Sequence, residues 1–168
     1  MNQTAQAPKI NETISYILDK NFSKYTIKSE ARNHPHEGSF EYELYDKKNE
    51  ENNLIRLCYE PLNSWNKDNS DYIQISSPFI NHGFDHKENL TVKLWELSAE
   101  KIAKRNEVRV QEGDPYMRFD TLIKKVSKIT NLNELDHKLV TNINNIFKAY
   151  QEMSRTPEVL AKMIIANL

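Results

Sequence analysis

Apolar residues recur at two spacings along this chain, and the change between them separates helices from strands. The first predicted helix covers residues 8–21, where four apolar residues follow the helical repeat: Ile10, Ile14, Ile17 and Leu18. We expect the polar residues 1–7 before it to form a disordered lead. From residue 25 to 79, apolar and polar residues alternate instead. This alternation predicts about four strands, two of them paired as a hairpin across the polar turn at 46–53.

Residues 90–106 fit both spacings. Leu90, Val92 and Leu94 alternate like a strand, whereas Leu90, Leu94 and Leu97 are spaced as on one side of a helix. The segment has seventeen positions without Gly or Pro, and this length favours the helix. The alternative, in which the first half of the segment is a strand, stays open at this point.

The last third of the chain is predicted to form one long amphipathic helix and then a shorter one. Asn131 is a suitable N-cap, with Glu134 three residues later as in a capping box. The apolar stripe of the long helix comprises Leu135, Leu139, Ile143, Ile146, Phe147, Tyr150 and Met153. Thr156 and Pro157 predict the start of a separate last helix. Its apolar side comprises Leu160, Met163, Ile164 and Leu168, which are candidate homodimer contacts, with the long stripe as a second candidate.

The order of these elements predicts the fold class. With a second hairpin over 107–126, the order is helix, about four strands, helix, hairpin, long helix, short helix. Because strands and helices are segregated, the fold is expected to be α+β. It should contain an antiparallel β-sheet of about five to six strands packed on one face by helices, including the long C-terminal amphipathic helix. Residues 8–168 are expected to form one such domain.

Composition narrows the function classes. The net charge is -1 and the mean hydropathy is -0.76, a balance that makes a nucleic-acid partner unlikely. Cys58 is the only cysteine, so an internal disulfide is excluded and a cytoplasmic location is favoured. No stretch is apolar for the roughly 20 residues of a membrane helix, so we expect no membrane partner. Frequent Asn, Lys and Ile are typical of a bacterial AT-rich genome.

The residues that carry catalysis in other proteins form no known motif here. The three glycines, Gly38, Gly83 and Gly113, are isolated, whereas a phosphate-binding loop needs several close together. Cys58 belongs to a strand pattern and is expected to be a buried, inert thiol. Glu41 and Glu43 are expected on a solvated strand face, without the apolar surroundings that a catalytic pair needs. We therefore predict no catalytic residue, no cofactor and no metal.

Two charged sets leave alternatives open. Four histidines in predicted loops could form a metal site with Glu37 or Asp85 if the loops meet: His34, His36, His82 and His86. The basic residues of the second half could form one patch for an acidic protein partner or a phosphate backbone, although solvated lysines are the simpler interpretation. This basic set comprises Lys101, Lys104, Arg105, Arg109, Arg118, Lys124, Lys125 and Lys128.

Aromatic residues are the most informative candidates for a binding site. Tyr45 and Tyr72 are out of phase with the apolar residues of their strands, so they should lie on the outer face of the sheet. Exposed aromatics of this kind are common anchors in protein interfaces. The predicted partner-binding residues are Tyr45, Trp65, Tyr72 and Phe79.

The element order from Asp71 onward resembles that of the YbjN-like and type III secretion chaperone-like family. The residues that carry the resemblance are Tyr72–Ile75, Leu94–Leu97 through Asn106, the hairpin of Val108–Val110 with Met117–Phe119, and the helix from Leu135 to Tyr150. The resemblance implies a non-enzymatic protein that binds another polypeptide, often as a homodimer.

These observations lead to one main hypothesis and two alternatives. The main hypothesis is a chaperone- or adaptor-like protein that binds a protein or peptide through a sheet edge and exposed aromatics. The first alternative is an immunity protein or antitoxin that neutralises a cognate toxin. The second is a small metal-dependent enzyme with a His/Asp loop site.

Overall fold

A computed structural model describes residues 3–32, 38–61, 70–83, 90–112 and 115–166, with positions 3–8, 32, 112 and 157–166 described by their backbone. The elements in chain order are α1 (Gln3–Asn21), β1 (Tyr25–Arg32), β2 (Ser39–Asp46), β3 (Asn49–Glu60), β4 (Tyr72–Ser76), β5 (Ile80–Asn81), α2 (Leu90–Arg105), β6 (Arg109–Glu112), β7 (Tyr116–Lys124) and α3 (Leu132–Ala166). A short 3₁₀ turn, Val126–Lys128, connects β7 to α3.

The seven strands form one antiparallel sheet, which confirms the α+β class. The strand order is β1-β2-β3-β4-β7-β5, and β6 pairs with β7 as well. β4 and β5 pair in succession along one side of β7, while β6 pairs along its other side. Among the described residues, β1 and β6 are therefore the two edges of the sheet. The two-residue β5 accounts for the strand beyond the predicted five to six.

The helices cover one face of the sheet, because apolar residues alternate along the strands and gather on that face. Leu57, Ile75 and Phe119 are fully buried there. Tyr42 connects the sheet to α1, since its hydroxyl donates to the carbonyl of Asn11 (3.0 Å) and accepts from Ser15 Oγ (3.2 Å). Burial of an apolar side chain such as Leu57, Ile75 or Phe119 contributes about 1.5–3 kcal/mol to the stability of the fold, so this face of the sheet holds the fold together.

Helix α2 covers Leu90–Arg105, which confirms the helical prediction for this segment. Its buried side comprises Val92, Trp95, Ala99, Ile102 and Ala103. The helix ends in a Schellman motif, in which Val108 N–H donates to the carbonyl of Ala103 (3.0 Å) and Glu107 N–H donates to that of Lys104 (3.3 Å). Glu107 has a φ of 58°, in the left-handed region.

The structure corrects the predicted bounds of two helices. Helix α1 begins at Gln3, five residues before the predicted start at residue 8, and Ala5 and Ala7 in this added turn favour helix. Helix α3 runs without a break to Ala166, so the separate last helix was a wrong prediction. Thr156 does not cap a new helix; its hydroxyl donates to the carbonyl of Glu152 within the same helix (3.1 Å).

The long apolar stripe of α3 faces this chain's own sheet. Leu139, Ile143 and Ile146 are fully buried, and Phe147 stacks on Tyr25 of β1 with ring centroids 5.5 Å apart. The stripe is therefore not available as a homodimer surface, contrary to the second candidate from the sequence. A continuous sheet face needs such a stripe to cover it, and α3 supplies it.

The connection from β7 to α3 is held by a buried carboxylate at the start of β4. Asp71 accepts hydrogen bonds from Tyr59 Oη (2.8 Å), Ser127 N–H (2.9 Å) and Ser127 Oγ (3.1 Å). Its carbonyl accepts from Lys125 N–H (2.9 Å). Burial raises the pKa of the Tyr59 phenol, and the hydrogen bond to Asp71 raises it further. Asp71 thus connects β3, β4 and the turn before α3.

Candidate protein-binding surface

The sheet face opposite the helices carries a polar network centred on Asp120. This carboxylate is fully buried and accepts from Arg109 Nε (2.9 Å) and Nη2 (2.8 Å), from Gln74 (2.8 Å) and from Gln111 (3.3 Å). A buried carboxylate is stable only when it is paired and hydrogen-bonded, as here. The network fixes the relative positions of β4, β7 and β6 on this face.

The same face corrects the prediction for Glu41. We expected Glu41 and Glu43 to be solvated, but Glu41 is buried and forms an ion pair with Arg56 of β3. Glu43 is half-buried and accepts from Tyr45 Oη and from Asn53 Nδ2 (3.0 Å). Alternation placed these side chains on the correct face, but it could not show that cross-strand partners would cover them.

Cys58 also lies on this face, between Glu41 and Gln74 of the neighbouring strands. Its side chain is half-buried rather than fully buried as predicted. The prediction was wrong because Cys58 alternates with the core residues Leu57 and Tyr59, and neighbours in a strand point to opposite faces.

An exposed aromatic cluster lies at one end of the same face. Phe79 is 63% exposed and Tyr116 is 48% exposed. Their rings meet edge to face with centroids 6.3 Å apart, and the Arg118 guanidinium lies 5.1 Å from the Phe79 centroid. We call Phe79, Tyr116 and Arg118 the aromatic surface.

The backbone holds Phe79 outward. Ser77 N–H donates to the carbonyl of Phe119 (2.9 Å), and Ser77 Oγ accepts from Phe119 N–H (3.0 Å). On the other side of Phe79, Ile80 is buried and pairs with Met117. Here residues 77–79 lie opposite only two residues of β7, 118 and 119. The extra residue makes a β-bulge, which accommodates Pro78. Because Ser77 and Ile80 on either side of Phe79 are both anchored to β7, Phe79 cannot turn into the core without breaking the contacts that these two residues make with β7.

The structure separates the predicted partner-binding residues. Tyr45 lies on the outer face under Lys28, whose Nζ is 4.4 Å from the ring centroid. The hydrogen bond that Tyr45 donates to Glu43 raises the pKa of the Tyr45 phenol. Tyr45 pairs with Asn53, near the middle of β3, and half-buried Tyr72 pairs with Glu60 at its end, roughly 23 Å away along the strand.

Three of the four predicted contacts lie within the described residues, and of these three Phe79 has the most exposed ring. Trp65 lies outside the described residues, as does Leu168. The backbone of Leu160, Met163 and Ile164 is helical, within α3. Tyr116 was not among the predicted contacts, and Arg118 was named only in the basic set. Both are out of phase with the apolar residues of β7, the signal that marked Tyr45 and Tyr72.

The histidine and basic sets do not form single sites in the part of the chain that the structure describes. His82 is buried against Trp95, with ring centroids 5.3 Å apart. His34, His36 and His86 lie outside the described residues, and within the described residues no three His, Cys, Asp or Glu side chains could hold a metal ion. Arg105 pairs with Glu152, while Arg109 pairs with Asp120, so the basic residues are distributed over different faces.

Comparison with known proteins gives no relative for this chain. No family model matches it, and no curated protein or solved structure matches it either. The resemblance to YbjN-like and type III secretion chaperone-like proteins therefore stays a prediction. Within the described residues, no helix combines the length and the apolar character needed to cross a membrane.

Proposed function

We propose that this protein is a non-enzymatic, chaperone- or adaptor-like module that binds another polypeptide through the aromatic surface. The observation that supports this proposal is the fixed exposure of Phe79. A large apolar ring in water has an unfavourable free energy that a loop could relieve by folding back. Here Ser77 and Ile80 prevent that movement. A rigid exposed aromatic is the typical anchor of a protein interface, because little conformational entropy is lost on binding.

The charge of the surface indicates the chemistry of the partner segment. Among the described residues, Arg118 has a ring contact but no carboxylate partner. A partner that places an apolar side chain against Phe79 and Tyr116, with an Asp or Glu beside it, would satisfy the guanidinium and bury the rings together. We therefore propose a segment that combines apolar and acidic residues.

The neighbouring edge strand could extend the contact. β6 is an edge of the sheet, and its Gln111 pairs with Arg118 of β7. A partner strand that added to β6 would run roughly 10 Å from the backbone of β7, within reach of the long Arg118 side chain. Main-chain hydrogen bonds would then provide affinity, and the aromatic surface would provide selectivity.

Affinity purification with quantitative mass spectrometry tests the proposal. We expect Phe79→Asp to lose proteins that the wild type enriches, because the substitution removes the ring and opposes an acidic partner. Tyr16→Asp is the matched control, since Tyr16 on α1 is an aromatic residue of comparable exposure, 55% against 63% for Phe79. Isothermal titration with the purified partner should show a loss of at least about 30-fold for Phe79→Asp. The same enrichment by both variants and the wild type would contradict the proposal.

A further inference from the structure

Helix α2 carries a second apolar surface, on the side away from the rest of the molecule. Leu90, Leu94 and Leu97 are 70%, 38% and 52% exposed. With 3.6 residues per turn they form one stripe, which Lys101 continues one turn later. The buried residues, such as Trp95 and Ala99, lie on the opposite side of the helix. We call Leu90, Leu94, Leu97 and Lys101 the leucine stripe.

The spacing of the leucine stripe is that of a helix-pairing seam. Its positions are separated by four, three and four residues, the alternation of the a and d positions of a coiled coil. The stripe is exposed, and α2 packs on α3 and β6 through its other side. Another helix can therefore approach along its length. The three turns from Leu90 to Lys101 are about 18 Å long.

The charges beside the stripe match a second copy of the same helix. Lys93 and Glu100 are exposed and lie on the same flank of the stripe, one heptad apart. Neither has an ion-pair partner among the described residues. If two α2 helices pair antiparallel about a two-fold axis, Leu94 of each copy meets Leu97 of the other. Lys93 of each copy then meets Glu100 of the other.

The other positions are compatible with the same arrangement. Leu90 meets the aliphatic stem of Lys101, whose ammonium group can extend to solvent. The opposite flank brings Thr91 and Ser98 together, which adds no like-charge contact. In a two-fold interface the same surface of both copies must be complementary to itself. A single register of the leucine stripe satisfies this condition for the apolar positions and for the charged positions together.

We propose that the protein forms a two-fold homodimer through antiparallel pairing of α2. The partner that this surface fits is a second copy of this chain. The interface is distinct from the aromatic surface, so the dimer does not depend on the proposed function. It also differs from the C-terminal contacts expected from the sequence.

Sedimentation equilibrium of the full chain tests the dimer. We expect a monomer–dimer equilibrium with mostly dimer at about 200 µM. Leu94→Glu should raise the dimer Kd at least about 30-fold. Leu132→Glu is the matched control, an exposed helical leucine outside the stripe. A monomer at every concentration, or equal Kd values for the two variants, would overturn the proposal.

Charge reversal tests the register itself. Lys93→Glu alone and Glu100→Lys alone each create like-charge contacts in the homodimer and should weaken it about 10-fold or more. The two single variants mixed together should form a heterodimer, because each then presents the complementary charges. The double variant should return to within about 3-fold of the wild type. If the mixture and the double variant stay as weak as the single variants, the proposed pairing is wrong.

Discussion

Replacement of Asp71 by Ala should destabilise the fold more than any surface change, because three donors lose their acceptor together. These donors are Tyr59 Oη and the N–H and Oγ of Ser127, all within 3.1 Å of the carboxylate. A hydrogen bond to a charged group contributes about 1.5–3 kcal/mol. Bonds to one group are not additive, so we expect a total loss of about 3–5 kcal/mol.

Such a loss is large beside the stability of an ordinary domain, about 5–15 kcal/mol. In a chain of this length it corresponds to a fall in Tm of roughly 10 °C. Asp71→Asn should cost less, about 1–2 kcal/mol, because the amide oxygen can keep the acceptor position that Tyr59 Oη and Ser127 N–H share. It loses the charge and the second acceptor oxygen, which takes the bond from Ser127 Oγ. The difference between the two variants measures what the shared acceptor oxygen contributes.

Urea denaturation followed by circular dichroism measures the effect, and a double-mutant cycle isolates one bond. Tyr59→Phe combined with Asp71→Ala should give a coupling free energy of about 1–2 kcal/mol. Asp136→Ala is the matched control, because Asp136 pairs with Lys20 at the surface (3.4 Å) and should cost less than about 1 kcal/mol. If Asp71→Ala unfolds within about 1 kcal/mol of the wild type at an unchanged urea dependence, the assigned role of Asp71 is refuted.

Three further predictions concern stability. Burial raises the folded-state pKa of Tyr42 and Tyr59 above the ordinary 10.0, so the unfolded chain loses these protons first. Stability should therefore fall as the pH rises above about 10, by up to about 1.4 kcal/mol per pH unit for each phenol. Tyr59→Phe should reduce the slope between pH 9 and 11 in urea titrations; an unchanged slope would contradict this. Glu107→Gly should raise the Tm by a few degrees, since Gly adopts the positive φ of 58° without strain. A lower Tm in scanning calorimetry would count against that reasoning. Arg109→Ala should cost about 2–4 kcal/mol in chemical denaturation, because Asp120 is left buried without its charged partner, and a cost below about 1 kcal/mol would argue against the network.

The fold class could be predicted from the sequence because period-two and helical spacings are local signals. The hairpins of β2 with β3 and of β6 with β7, and the helix α2, all follow from such spacing. What spacing could not decide was which side of α2 faces the core. The leucines and the set with Trp95 and Ala99 are equally periodic. The second set is buried, since its small alanines let α2 approach α3 closely.

The aromatic surface could be predicted only in part. Phe79 was a predicted contact, but its fixed exposure depends on the anchoring of Ser77 by Phe119, more than forty residues along the chain. Glu41 and Asp120 show the same limit, because their burial is produced by partners on other strands. The alternation of residues along a strand predicts which face of the sheet a side chain is on. Whether that side chain is buried depends on the neighbouring strands of the assembled sheet.

The position of β4 has a consequence for synthesis. β4 pairs with β3, which precedes it, and with β7, which the ribosome makes only after α2 and β6. At about 5–20 residues per second, several seconds separate the two partners. During that interval the nascent chain presents the unpaired main chain of β4, together with uncovered Ile73 and Ile75, to the surrounding solution. An edge of this kind promotes aggregation, so we expect the growing polypeptide to be most sensitive to holdase capture just before β7 emerges.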